Sequence, residues 1–247
     1  MGTRTPHLLR RLLAVALIAV PLACAAMSAS RTIVPVALAD SCPDVEVVFA
    51  RGTFEPAGVG ATGQAFIDAL RTRLGSKTMQ VYPVNYPASL DFPRAADGVA
   101  DASNQVTTLA SSCPDTRIVL GGYSQGAAVA AYTTTDTVPI GFALPDRITG
   151  PMPASVAGHV AAVALFGKPS GGFLNMLNRD APPITIGQPY TAKTADLCIP
   201  EDPVCSPTGN DQAAHGAYIS NGMTEQAADF AARAITAHAW AATARRH

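Results

Sequence analysis

Residues 113–127 read CPDTRIVLGGYSQGA, and the serine between two glycines decides how the rest is read. Arg117-Ile-Val-Leu120 is a short β-branched run, and Ala127-Ala-Val-Ala-Ala131 favours helix. Ser124 therefore sits on a predicted strand-to-helix turn. G-x-S-x-G in that setting is the nucleophile-elbow pattern: the glycines permit a tight turn that holds the hydroxyl clear of its own backbone. The helix N-terminus beyond it favours developing negative charge. The plainer alternative is a loop serine that only caps its helix.

Working outward, strands alternate with helices. Glu46–Ala50, Met79–Val84, Arg117–Gly121, the continuous apolar run Val160–Phe166 and the shorter Thr194–Ile199 read as strands. Gly63–Leu74, Ala96–Ser112, Ser124–Thr133 and Gly216–Ala242 read as helices, and the proline-rich Asp136–Pro153 as a loop. That order predicts an α/β fold, a parallel sheet with helices on both faces. No composition shift marks a second domain.

The chain has 247 residues, 48% apolar and 14% charged, enough for one sizeable core and too apolar for disorder. Its start reads as a signal peptide over 1–39. Arg4, Arg10 and Arg11 form a positive region, Leu12–Ala26 is apolar, and Ala37-Leu-Ala39 is a small-x-small cleavage site before Asp40. A cut after Ala26, or an uncleaved anchor, are the alternatives. The apolar run of 15 residues is short for a spanning helix, which needs roughly 20. Pro21-Leu22-Ala23 before Cys24 is a poor lipobox. Removing 1–39 takes Lys plus Arg from 17 to 13 against 18 acids, so the formal net charge moves from −1 to −5. An acidic domain of residues 40–247 without a basic cluster is unsuited to nucleic acid.

Cys42, Cys113, Cys198 and Cys205 remain, an even count that implies disulfides in an exported protein and allows three pairings. Cys42 and Cys113 each precede a predicted strand, and could pair if those strands are neighbours. Cys198 and Cys205 are close enough to close a small loop. The spacing does not suit a zinc site.

A nucleophilic serine needs a base. His7 falls in the signal, His159 precedes a strand, His238 lies on the last helix and His247 ends the chain. By elimination His215, in the stretch before the final helix, is the base. Its orienting acid should lie between Ser124 and His215. Asp202, inside the Cys198–Cys205 segment, is the choice over its neighbour Glu201, with Asp136, Asp146, Asp180, Asp196 and Asp211 further candidates. Oxyanion donors are expected from the Gln125 N–H and from Thr53, in the turn Arg51-Gly52-Thr53 after the first strand.

These pieces resemble cutinases, most closely the secreted cutinase-like esterases of mycobacteria and related actinomycetes. The matching stretches are VVFARGT at 47–53, VYPVNYPAS at 81–89, CPDTRIVLGGYSQGA at 113–127, HVAAVALFGKPS at 159–170, DLCIPEDPVC at 196–205 and AHGAY at 214–218. The resemblance implies a three-layer α/β-hydrolase with about five parallel strands and no large lid. It implies Ser124, Asp202 and His215 as catalytic triad, Tyr218 beside the histidine, Thr53 and Gln125 as oxyanion hole, and the disulfides Cys42–Cys113 and Cys198–Cys205. The expected activity is hydrolysis of hydrophobic carboxylic esters, with phospholipase and acyltransferase as alternatives. No cofactor or metal is expected, and the expected setting is a secreted or envelope-associated monomer. A non-catalytic lipid-binding protein and a serine peptidase are the rivals from other classes. The stretch 133–153 is longer and richer in proline than in compact cutinases. It and Phe173–Leu177 are expected to shape an acyl pocket.

Overall fold

Strand β1 (Val45–Ala50) shows why the chain folds in layers. All six of its residues are buried. Val45, Val47 and Phe49 join one apolar cluster, while Val48 and Ala50 join another. Alternate side chains leave opposite faces of a strand, so a strand buried on both sides is the centre of a sheet covered by helices. The computed structural model describes residues 42–138, 144, 148–177, 179 and 181–244, without the side chains of 238–244. The segment 1–39 expected to be a signal peptide, His7, Asp146, Asp180, the His238 side chain and His247 lie outside the described residues.

The chain order is β1, α1 (Gly60–Leu74), β2 (Met79–Pro83), α2 (Ala95–Ser112), β3 (Arg117–Tyr123), α3 (Gln125–Thr133), β4 (Val160–Phe166), α4 (Gly171–Leu177), α5 (Gln188–Thr191), β5 (Thr194–Leu197) and α6 (Met223–Ala244). The five strands lie in the order β2-β1-β3-β4-β5, every neighbouring pair parallel. Helices α1 and α6 share one apolar cluster with the sheet, and α2 and α3 the other. In the first, the rings of Phe49, Phe66 and Phe166 meet at centroid distances of 5.7–6.3 Å. The β3–β4 register shifts between Ile118 and Val119, whose partners are Val160 and Ala162. The skipped Ala161 joins Ala162 in the first cluster, leaving Val160 in the second. Strand order reverses between β1 and β3, and a doubly wound sheet opens its crevice at such a point, beyond the carboxyl ends of the strands. The Arg51–Thr53 turn and Ser124 leave those two ends.

Strand β3 and helices α4, α5 and α6 differ most from the sequence expectation. Strand β3 continues to Tyr123, because Gly122 pairs with Ala50 and Leu165, and Tyr123 with Phe166. Helix α6 starts at Met223, not Gly216. Gly222 turns the chain at φ 79°, and Asn221 accepts the Met223 N–H at 3.1 Å. The short helices α4 and α5 were not anticipated; they are too brief to show a period. Among the described residues no helix is long and apolar enough to cross a membrane.

Cys42 and Cys113 are bonded beside the starts of the adjacent strands β1 and β3, and Cys198 and Cys205 are bonded after β5. The first link spans 71 residues. Chain entropy assigns a loop of that length about 4 kcal/mol of stabilisation. Urea unfolding of Cys42→Ser/Cys113→Ser should show a loss of that order, and an unchanged midpoint would refute the entropic account.

Candidate active site

Ser124 stands between β3 and α3 with φ 55° and ψ −119°, a conformation L-residues rarely adopt. The flanking glycines are there because the backbones nearly touch. A Cβ on Gly122 would lie 2.1 Å from Gly126 O, and one on Gly126 would lie 2.0 Å from Ala50 O. The Ser124 N–H is held by Phe166 O at 2.8 Å. Thus β1, β3, β4 and α3 all fix the serine backbone.

His215, in a short 3-10 turn over Ala214–Gly216, brings Nε2 to 2.9 Å from Ser124 Oγ. Its Nδ1 lies 2.8 Å from Asp202 Oδ2. A carboxylate can only accept, so Nδ1 carries the proton and Nε2 is free to accept from the serine hydroxyl. The imidazole is stacked on Tyr123 at 5.1 Å between centroids, and the Tyr123 hydroxyl donates to His215 O at 2.7 Å. Burial, with the charges of Glu55 and Asp202, pushes the Tyr123 phenol up to about 12, so it stays a neutral donor.

Asp202 has no exposed surface. A buried carboxylate is costly unless its oxygens are hydrogen-bonded. Oδ1 accepts the Val204 N–H at 2.8 Å, and Oδ2 accepts the Tyr218 hydroxyl at 2.6 Å as well as the histidine. Tyr218 is itself fully buried and accepts the Ile199 N–H at 3.3 Å. Burial and the Asp202 carboxylate raise its phenol far above the ordinary range. The Cys205 sulfur packs 3.3 Å from Oδ2. Gly167, at φ 60°, closes the group. A Cβ there would stand 3.0–3.2 Å from Tyr218, Asp202 and His215 together.

The Thr53 turn is clamped by a buried arginine. Arg51 Nε donates to Glu55 O at 2.9 Å and Nη2 to Tyr86 O at 2.7 Å. The Glu55 carboxylate accepts the N–H groups of Gly52 at 2.6 Å and Ala61 at 2.8 Å. Gln125 opens α3, where a first-turn N–H has no partner within the helix. Its buried carboxamide donates to Ser89 O at 2.9 Å and so holds the segment that carries Leu90.

Thr53, Ser124, Gln125 and His215 line one cavity of about 360 Å³, walled by α2, α3 and α4. Its lining is mostly apolar, and among the described residues its titratable side chains are His215 and Tyr132. Phe54, Leu90, Met176 and Leu177 are exposed apolar side chains, and all but Met176 also line the cavity. Phe173, Leu174 and Leu177 contribute to the wall. No described residue of 133–153 does, contrary to expectation. That stretch instead helps to line a separate space of about 40 Å³.

The other candidates are elsewhere. Glu201 is exposed and Asp196 pairs with Lys168 at 3.3 Å. Asp136 and Asp211 accept backbone N–H groups, of Gln188 and Ala213. His159 precedes β4 at the opposite edge of the sheet and bonds Pro114 O. Arg51, Glu55, Tyr123 and Gly167 were not singled out from sequence. Only the position of Tyr123 next to Ser124 hinted at a role. Among the described residues no group of three or more metal-ligating side chains occurs.

A glycine-flanked serine at the carboxyl edge of a doubly wound parallel sheet defines the chain as an α/β-hydrolase-type protein. Residues 41–235 match the cutinase family. The carboxylesterase Culp1 of Mycobacterium tuberculosis H37Rv is 48% identical over 80% of this chain and 84% of its own. The phospholipase Culp4 of the same organism is 46% identical over 89% of this chain and 90% of its own. A Trichoderma reesei cutinase, solved with a phosphonate inhibitor, superposes with a TM-score of 0.58 at 33% identity over 78% and 77% of the two chains. The chain belongs to the cutinase family, and with it to the carboxylic ester hydrolases.

Removing the Tyr218 hydroxyl leaves a fully buried carboxylate one donor short. Tyr218→Phe should therefore lower unfolding free energy by about 1.5–3 kcal/mol, the range for hydrogen bonds to charged groups. Denaturant titration checks this, and a loss below about 0.5 kcal/mol would mean water or a neighbour replaces the donor.

Proposed function

We propose that this chain is a serine esterase that cleaves carboxylic esters with apolar acyl groups through an acyl-enzyme. The observation that supports it most is the unbroken hydrogen-bonded line from Asp202 through His215 to Ser124, opening on an apolar cavity of about 360 Å³. That volume lies in the range of small-molecule sites. Ser124 Oγ attacks the ester carbonyl while His215 Nε2 takes its proton. Asp202 holds the imidazole by Nδ1 and stabilises its charged form. The tetrahedral oxyanion takes hydrogen bonds from the Gln125 N–H and from Thr53, and one such donor is typically worth about 3 kcal/mol of barrier. Collapse expels the alcohol, which takes the proton from His215. Water then attacks the acyl-serine by the same route, and the carboxylic acid leaves.

The second reading is phospholipase action. The phospholipase relative aligned over most of the chain, and the exposed Phe54, Leu90, Met176 and Leu177 beside the cavity, favour it. Such a rim suits aggregated lipid. We further propose that residues 1–39 direct export and that residues 40–247 act as a monomer outside the cytoplasm or at the cell envelope. The two disulfides support an oxidising compartment. Acyl transfer needs only an alcohol in place of water at the acyl-serine.

Chromogenic acyl esters and phosphatidylcholine vesicles, assayed with wild type and Ser124→Ala, test the proposal. The variant should lose about 10⁴-fold or more in kcat. A long-chain phosphonate should label wild type once and Ser124→Ala not at all. Equal rates for the two proteins would end the serine mechanism. Fatty acid release from the vesicles would decide for the phospholipase reading.

A further inference from the structure

The cavity has a direction. Ser124, Ala128 and Tyr132 all line it. Ser124 caps α3, and Ala128 and Tyr132 follow it at intervals of four residues, so the two helical side chains fall on one face and the helix rises about 12 Å from its cap to the tyrosine. Val99 on α2 and Pro182 after α4 line its walls with them. Beyond lies the separate space of about 40 Å³, lined by Val138, Leu144, Ile148 and Met152 from the proline-rich stretch. Val99, Tyr132 and Pro182 line both spaces and so form the partition between them. The Tyr132 hydroxyl donates to Pro182 O, which ties two parts of the partition together. Burial pushes that phenol up to about 12, so the donor is kept at any pH the protein meets.

We infer that Tyr132 is the stop of an acyl track running along α3 from Ser124, and that it sets the longest acyl chain the enzyme accommodates. This rests on the esterase reading of the same site. An extended hydrocarbon, with bonds of about 1.5 Å in zigzag, covers the rise to Tyr132 in about ten carbons. The substrate class is therefore medium-chain acyl esters of about eight to ten carbons. Longer chains must leave the track or displace the partition. Tyr132 touches neither the ester nor the triad. It is a specificity-determining residue, and the proline-rich stretch lies behind it as reserve space.

The full chain, secreted and purified, should be assayed on dispersed acyl esters from four to sixteen carbons. Wild-type kcat/KM should climb by up to about fourfold per methylene to about ten carbons, then level or fall. Tyr132→Ala should raise the ratio of sixteen- to eight-carbon kcat/KM at least tenfold, a ratio in which any general loss of activity cancels. Tyr132→Phe keeps the ring but loses the bond to Pro182 O, so its profile should shift in the same direction by much less than that of Tyr132→Ala. Tyr132→Leu and Val99→Ala trim the partition with less loss of packing and should give a smaller shift in the same direction. Met152→Trp added to Tyr132→Ala fills the reserve space and should restore the ceiling. Ala128→Leu blocks the track halfway and should lower the ceiling to about five carbons. Folded, active Tyr132→Ala, Tyr132→Leu and Val99→Ala proteins with the wild-type profile would overturn the inference while leaving the esterase reading intact. A wild type that cleaves no ester would remove both.

Discussion

The molecule depends on a contact between backbones. Helix α3 leaves β3 so abruptly that Gly126 lies against the last carbonyls of β1, and Gly122 against the first turn of α3. No side chain fits at either point. The turn forces Ser124 to a positive φ, a strain of about 1–3 kcal/mol. The surrounding sheet over-determines that strain: the Ser124 N–H is bonded to β4 and the strand beside it is paired on both edges. Because the close approach also aims α3 across the sheet, one geometric demand both raises the hydroxyl and lays a helix face beneath the cavity. The serine and the track along Ala128 and Tyr132 are two consequences of the same turn.

The acid side of the site obeys a different constraint. Asp202 is buried, and its charge is tolerated only because Val204, His215 and Tyr218 all donate to it. None of these donors can drift without exposing an unpaired charge, which costs far more than one lost hydrogen bond. The disulfide closes the loop that carries the acid, and Gly167 leaves no room for slack between the three groups. Burial here supplies rigidity, because a desolvated carboxylate has few satisfactory arrangements.

The reach of the sequence follows from these constraints. Strand β4 was legible at its observed bounds, because a strand buried on both faces must be apolar throughout. The elbow was legible because close backbone approach admits only glycine. Asp202 over Glu201 was harder. The two are adjacent and chemically alike, and only the fold buries one and exposes the other. Residues whose role is a contact across the sheet left little trace. Tyr123 stacks on His215 across 92 positions of sequence, and Gly167 differs from other loop glycines only by what surrounds it. The start of α6 was misplaced because Gly216–Gly222 is rich in small residues that suit helix or turn alike, until Asn221 and Gly222 stop the chain. The proline-rich stretch was credited with a wall of the site. Its distance from Ser124 is set by Tyr132, which periodicity could not mark as a partition.

The division between cavity and rim also bears on what part of a substrate goes where. Among the described residues the titratable side chains in the cavity lining are one imidazole and one phenol, and away from Ser124 the wall formed by Val99, Ala128 and Leu174 is apolar. A phosphate or carboxylate placed against that wall would lose its hydration without a charged partner, so an apolar acyl chain is the group that suits it. The apolar side chains of Phe54, Leu90, Met176 and Leu177 face solvent. They gain only when something apolar covers them. A dispersed short ester covers the cavity alone, whereas a lipid surface covers cavity and rim together. On the proposed reading, ester preference has two separate physical sources: Tyr132, which limits how far an acyl chain can run, and the rim, which rewards substrates presented as an apolar surface.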